Sequence, residues 1–279
     1  VIDPADKTQL FELLRRHHAT LKHRFGQNFL VDPVMRDLVA EAAGATESDD
    51  VLEVGAGVGT LTIALAARCR RLVAVELDRT LMPALREVVA GHDRIEVVQG
   101  DILRYDLASA FPAGGEIVAG NIPYNLTGAL LRKLLDRPPR PRRLSLVVQK
   151  EVAERWTAPT GASVATIAVQ VFAEARIVMT IPAISFEPAP RVDSALVSME
   201  VRPQPAVNVP DIDAFLRFVE AVFQQRRKQL AGTLGRISGI GSRAAAARLR
   251  DADIDPERRP QTLSLAEWES IHGLFAYSS

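Results

Sequence analysis

The sequence predicts an α/β fold: a mostly parallel sheet of seven strands, the last antiparallel, followed by a small C-terminal helical domain. Three observations carry this reading. From Val51 onward, short Val/Ile/Leu runs alternate with helical stretches. Two later strand-like runs, Arg176–Ile181 and Ala195–Val201, have no long helix between them. Beyond Pro203, Pro205 and Pro210 only helical patterns remain.

Taken in order, residues 1–24 form a polar N-terminal arm. Leu10, Leu13 and Leu14 have the spacing of one helical face. Arg15, Arg16, His17, His18, Lys22, His23 and Arg24 make its end basic, as either a solvated arm or an RNA-contacting one. The runs Val51–Val54, Leu72–Val75, Ile95–Val98, Ile117–Ala119 and Leu144–Val148 suit strands buried on both faces. Their alternation with helices means βαβ units and a parallel sheet. The last two strands pair antiparallel, because a short link cannot make a parallel crossover. The proline cluster has linker chemistry and sets a boundary near 204. Residues 25–204 then form the α/β domain and 205–279 the helical one, which is broken by Gly235, Gly239, Gly241 and Pro256.

Composition narrows the class. The chain has 279 residues, 47% hydrophobic and 24% charged, the balance of a globular protein with a sizeable core. Lys plus Arg equals Asp plus Glu at 34 each, so no global field advertises a nucleic-acid partner, although local patches can still steer one. The single cysteine, Cys69, forbids an internal disulfide and a cysteine-rich zinc site and points to a reducing, cytoplasmic compartment; separately, no metal is expected. No apolar run approaches the roughly 18 residues of a membrane helix, and no basic-then-apolar leader predicts secretion.

Three motifs close successive strands. Val51-Leu-Glu-Val-Gly55-Ala-Gly57-Val-Gly59-Thr60 runs from a buried strand through a glycine turn into a helix. Its glycines allow a tight turn and close approach of a ligand, and the helix start offers free N–H groups. Glu76, followed by Leu77, ends the next strand about 20 residues on, where a carboxylate can accept from both ribose hydroxyls. Asp101 and Ile102 end the third strand, where an acid can bind an adenine amine and an aliphatic residue can pack on the ring; a plain N-cap or turn aspartate is the alternative. Ligands in open α/β sheets sit at the carboxyl ends of strands, so the three together indicate an adenosine-containing cofactor, either a nicotinamide dinucleotide or S-adenosylmethionine.

Asn121-Ile122-Pro123-Tyr124, after the fourth strand, decides between them. An adenine N6 lone pair is delocalised into its ring and is a poor nucleophile. Two acceptors aimed at its hydrogens would hold it toward tetrahedral geometry and stabilise the charge that develops on nitrogen. The Asn121 side-chain oxygen and the Pro123 carbonyl can be those acceptors, with proline fixing the carbonyl's direction. Tyr124 can stack on an extruded base, and Phe186, held in a loop stiffened by Pro188 and Pro190, can form the second wall. Arg24-Phe-Gly-Gln-Asn28-Phe-Leu30 says less alone; Asn28 could be an N-cap or a ligand to a carboxylate.

Gly-Gln-Asn-Phe-Leu at 26–30, the loop at 55–59, Glu76, Gly-Asp-Ile at 100–102, Asn-Ile-Pro-Tyr-Asn at 121–125 and Phe-x-Pro-x-Pro-x-Val-Asp-Ser at 186–194 together resemble the KsgA family of ribosomal RNA adenine N6,N6-dimethyltransferases. The resemblance implies a Rossmann-like class I methyltransferase sheet and S-adenosylmethionine as cofactor. It places Asn28 and Leu30 near the cofactor's methionine or ribose end, Gly55 and Gly57 beneath it, Glu76 at the ribose, and Asp101 and Ile102 at the adenine. Asn121 falls at the reaction centre, and Tyr124 and Phe186 match the residues that hold the target base. It implies two adjacent adenosines near the 3′ end of 16S RNA as target, a small-subunit precursor as partner, and a monomer. The tail, from Phe223-Gln-Gln-Arg226-Arg227-Lys228 to Leu263-Ser264, resembles the helical domain of the small-subunit enzymes. A macrolide-resistance enzyme acting on 23S RNA, which shares Ile122, and a non-catalytic assembly factor are the alternatives.

Two basic clusters are expected to hold RNA phosphates. One is Arg132, Lys133, Arg137, Arg140, Arg142 and Arg143, opposed only by Asp136. The other is Arg226, Arg227 and Lys228. A solvated helix face is the alternative for each.

Overall fold

The computed structural model describes residues 2–20, 27–111, 116–124 and 126–276. Lys22, His23, Arg24, Phe25, Gly26 and Asn125, singled out above, lie outside the described residues. The chain divides into two compact units, Val1–Glu154 with Ala175–Val201, and Arg155–Glu174 with Arg202–Ser279.

The first unit opens with α1 (Lys7–Arg16), capped by Asp6, whose carboxylate accepts from Gln9 N–H. Leu10, Leu13 and Leu14 are buried and share a cluster with Phe29, Val58, Leu81 and Ala84. Residues 7–16 of the N-terminal segment are therefore a packed helix, and apolar burial holds it to the unit. At its end Arg16 and His17 both reach Glu87, which holds that carboxyl below its usual range. Next come β1 (Phe29–Leu30), α2 (Pro33–Ala42), β2 (Asp50–Val54), α3 (Thr60–Ala66), β3 (Arg71–Glu76), α4 (Met82–Val88) and β4 (Ile95–Gln99). After these run α5 (Leu107–Ala110), β5 (Ile117–Asn121), α6 (Thr127–Leu135), β6 (Arg143–Gln149) and α7 (Lys150–Trp156). Beyond α8 (Val164–Phe172) lie β7 (Ala173–Ile181), β8 (Phe186–Glu187) and β9 (Ser194–Val201).

Seven strands form one sheet in the order β4-β3-β2-β5-β6-β9-β7. The pairs β2·β3, β2·β5, β3·β4 and β5·β6 are parallel, and β9 runs antiparallel to β6. The five expected parallel strands and the antiparallel last strand are all present. β3 and β5 leave β2 on opposite sides, so the winding reverses between β2 and β5. That reversal opens a crevice at the carboxyl ends of the strands. Strand residues such as Leu52, Leu72, Ile117 and Leu144 have no exposure, as two covered faces require. A separate two-stranded ribbon pairs β1 with β8, setting Phe29 opposite Glu187 and Leu30 opposite Phe186. No sequence signal indicated it, because two-residue strands carry no period.

The second unit contains α8, α9 (Ile212–Phe223), α10 (Leu230–Ile237), α11 (Ser242–Asp251) and α12 (Leu265–Phe275). Trp268 is fully buried and stacks on Phe223, with ring centroids 5.4 Å apart. His272 meets Phe215 and Phe218 edge-on, and burial lowers its pKa. Ser264 and Glu267 close a capping box at the start of α12. Residues 155–174, which the sequence pattern leaves in the α/β domain, pack here instead. Gly161 N–H donates to Leu263 O at 2.7 Å, and Ala206 N–H to Val171 O at 2.8 Å. A Cβ at Gly161 would come within 2.7 Å of the Trp268 indole nitrogen. The apolar run of α8 reads equally well as a sheet-covering helix, so its sequence does not say which core it joins. Among the described residues no helix is long and apolar enough to cross a membrane, and no group of three His, Cys, Asp or Glu could hold a metal ion.

Candidate active site

An open cleft lies at the carboxyl ends of β2, β3, β4 and β5. It gathers the cofactor residues expected from sequence, Asn28, Leu30, Gly55, Gly57, Glu76, Leu77, Asp101 and Ile102, with Asn121, Pro123, Tyr124 and Phe186.

The glycine turn is built for close approach. Gly55 and Gly57 have φ of 73° and 60°, a region that side chains with a Cβ avoid. A Cβ on Gly55 would point at Asn121 O and Pro123 Cδ, 3.7 and 3.8 Å away, and would narrow the cleft. Gly57 N–H donates to Glu76 Oε2 at 2.8 Å, and Asp78 N–H donates to Oε1 at 2.7 Å. Glu76 is 7% exposed. Burial pushes its carboxyl above the usual range, and the two N–H bonds oppose that push. Leu77 beside it is exposed and Ile102 is buried. Asp101 Oδ1 accepts from Leu103 N–H at 3.0 Å, so this aspartate shapes its own turn as well as lining the cleft.

The other end of the cleft is made by β5 and the turn after it. Asn121 Nδ2 donates to the main-chain carbonyl of Asn28 at 2.7 Å. Pro123 O accepts from Leu126 N–H at 2.9 Å, which leaves its second lone pair for another donor. The Tyr124 hydroxyl lies 3.4 Å from Ser194 Oγ, and burial raises the phenol's pKa. Phe186, on β8, is 2% exposed, and the β1–β8 pairing sets it opposite Leu30.

Gln27 and Glu53 stand within the motifs read from sequence but carry no assigned role there. Gln27 lines the cleft and donates from Nε2 to Asp78 Oδ2 at 3.1 Å. Glu53 is 1% exposed; its Oε2 has no hydrogen-bond partner among the described residues, and burial pushes its carboxyl up to about 8. An acid inside the otherwise apolar Val51-Leu-Glu-Val strand was the available signal. An orphaned carboxyl oxygen beside a glycine cradle fits a cationic ligand such as an aminoacyl sulfonium nucleoside.

The basic clusters are placed differently. Arg132 is exposed on α6 and pairs with Asp136 at 3.3 Å, and Lys133 is half-buried beside it. Arg140 donates to the carbonyls of Leu135 and Asp136, closing the end of α6. Arg142 meets Asp49 at 2.7 Å, and Arg143 meets Glu200 at 2.6 Å. Arg142 and Arg143 stand at the amino end of β6, away from the carboxyl ends that form the cleft, and the structure does not bring them to it. Arg226, Arg227 and Lys228 are exposed on the turn between α9 and α10.

Residues 18–271 match the family described as ribosomal RNA adenine dimethylase. The chain is 41% identical to ribosomal RNA small subunit methyltransferase A of Pelotomaculum thermopropionicum, over 95% of this chain and 94% of that one. It is 36% identical to the protein of that name from Geobacillus thermodenitrificans, over 93% and 92%. Among solved structures it is similar to the 23S rRNA methyltransferase ErmE, with TM-score 0.71, 27% identity, and 89% and 100% of the two chains covered. The fold also matches a dimethyladenosine transferase of Plasmodium falciparum, with TM-score 0.73, 24% identity, and 88% and 97% covered. With residues 18–271 matched and relatives similar over nine-tenths of their length, the chain belongs to the ribosomal RNA adenine dimethylase family.

Proposed function

We infer that this protein dimethylates the N6 amines of two adjacent adenosines near the 3′ end of small-subunit ribosomal RNA, as part of subunit maturation. The observation that carries the reading is the meeting of Asn121, Pro123, Tyr124 and Phe186 with the glycine loop and Glu76 in one cleft. S-adenosylmethionine, when bound, supplies an electrophilic methyl on a sulfonium. Glu76 would hold its ribose, Asp101 and Ile102 its adenine, and Glu53 with the Asn28–Leu30 segment its aminoacyl end.

The chain's own part is positioning and electrostatics. Asn121 Oδ1 and the free lone pair of Pro123 O accept the target amine's hydrogens and aim its lone pair at the methyl. Tyr124 and Phe186 hold the extruded base between them. No strong base is needed before attack, because the amine proton becomes acidic once the nitrogen is alkylated. In the second transfer only one hydrogen remains, so either acceptor must then suffice alone.

The small-subunit target is supported by the two relatives at 41% and 36% identity, both named for that subunit and both covered over more than nine-tenths of their length. The 27% likeness to a 23S enzyme favours a large-subunit target as the second reading. We assign chemistry to the α/β unit and RNA docking to the helical unit through Arg226, Arg227 and Lys228, with Arg132 and Lys133 as further phosphate contacts. A monomer in the cytoplasm, acting on a small-subunit precursor, completes the proposal. Purified protein with labelled cofactor tests it: undermethylated small subunits should accept methyl groups and large subunits should not.

A further inference from the structure

A carboxamide has two chemically opposite ends. If the Asn121 side chain turned over, its NH₂ would face the target amine, and donor would meet donor. Rotation about the last side-chain bond is soft, so something must choose the orientation. The Asn28 carbonyl does so. It can only accept, and it takes the Asn121 Nδ2 hydrogen at 2.7 Å, leaving Oδ1 for the substrate.

What fixes that carbonyl is the strap of residues 27–32. Its downstream end is held by the β1–β8 pairing, by Val31 N–H donating to Ser185 O at 2.8 Å, and by Ser185 Oγ donating to Asp32 Oδ2 at 2.9 Å. Its upstream end is held by Gln27 Nε2 donating to Asp78 Oδ2 at 3.1 Å. Asp78 is itself fixed. It is 4% exposed, its Oδ1 accepts from Thr80 N–H and Thr80 Oγ at 3.0 and 2.8 Å, and its N–H donates to Glu76. The strap thus runs from the cofactor side of the cleft, at Glu76, to the base side, at Phe186.

We propose that Gln27 and Asp78 latch this strap and thereby set the orientation of the Asn121 carboxamide, making them a positioning pair for methyl transfer. The inference rests on the reading of Asn121 as an acceptor for the target amine. The pair touches neither reacting atom; it acts through the Asn28 carbonyl.

The test is steady-state methyl transfer to undermethylated small subunits with three variants. Gln27→Glu sets a carboxylate against Asp78 and opens the latch. Gln27→Glu combined with Asp78→Asn rebuilds it with the hydrogen bond reversed, since the amide introduced at position 78 would donate to the carboxylate introduced at position 27 while its oxygen still serves Thr80. The third is Gln27→Glu on an Asn121→Ala background. The latch account expects kcat to fall ~10- to 100-fold in Gln27→Glu, by more than any accompanying rise in cofactor KM from the loosened Asn28–Leu30 segment, to return to within ~3-fold in the reversed pair, and not to fall further in the Asn121→Ala background. A raised cofactor KM at unchanged kcat, or equal losses in both backgrounds, overturns it. An Asn121→Ala protein with wild-type kcat overturns the underlying acceptor reading instead, which separates the two failures. If Gln27→Glu does not fold, a folded, active reversed pair still supports the latch and an inactive one refutes it.

Discussion

Gly57 N–H donates to Glu76 Oε2 at 2.8 Å, so the glycine loop after β2 and the acid ending β3 form a single hydrogen-bonded edge. The carboxylate that would grip the ribose is thus already aimed by the turn beneath it. Glu76→Ala removes both the ligand and this brace. Cofactor affinity should fall about 10- to 100-fold, the worth of a charge-assisted hydrogen bond. Calorimetric titration with S-adenosylhomocysteine checks this.

Asn121→Ala removes an acceptor that counts most in the transition state. Its kcat should fall about 100- to 1,000-fold, with a much smaller change in cofactor affinity. Single-turnover methyl transfer beside a binding titration separates the two.

Gly120, one residue before Asn121, lies where β5 passes β2. A Cβ there would come within 2.4 Å of Val54 O. Main-chain atoms at a parallel pairing cannot yield cheaply, so Gly120→Ala should cost about 1–3 kcal/mol of stability, the usual range for overpacking. Urea denaturation measures it.

Glu53 makes stability depend on pH. Its carboxyl sits near 4.5 unfolded and is raised to about 8 when folded. Between those values the folded chain holds a proton that the unfolded chain has lost. Its contribution to stability is therefore greatest below about 4.5 and is lost as pH rises through about 8. Glu53→Gln, which cannot ionise, should flatten the decline and be more stable than the parent by a few kcal/mol at the upper end. Denaturation of cofactor-free protein across that window checks the slope.

Arg142 and Arg143 give a contrasting expectation. Their ion pairs with Asp49 and Glu200, at the amino end of β6 away from the cleft, predict that alanine substitutions lower stability by about 1 kcal/mol and leave the salt dependence of RNA binding unchanged. Loss of charge at Arg226, Arg227 and Lys228 should instead reduce that slope. Filter binding across salt concentrations distinguishes the two sets.

The parallel strands were legible because each is a compact Val/Ile/Leu run, and Gly55, Glu76, Asp101 and Asn121 because each stands at or just past the end of one. Asn121 and Pro123 stand out in sequence because an amine needs acceptors, and both line the cleft. What pattern could not convey is contact between distant segments. The Asn28 carbonyl meets a side chain 93 residues away. The β1–β8 ribbon is too short to show a period. Basic residues near 140 look alike in sequence whether they face RNA or, as Arg142 does, an aspartate from another loop. The arm's leucines had the spacing of a helix face, but what that face covers is a property of the fold.

The most direct measurement is mass spectrometry of ribosomal RNA after incubating undermethylated small subunits with the purified protein and S-adenosylmethionine. The account predicts N6,N6-dimethyladenosine at two adjacent positions near the 3′ end of the small-subunit RNA, and far less of it in the same time when Asn121 is replaced by alanine. Methyl groups appearing only on large-subunit RNA, or equal modification by the Asn121→Ala protein, would contradict it.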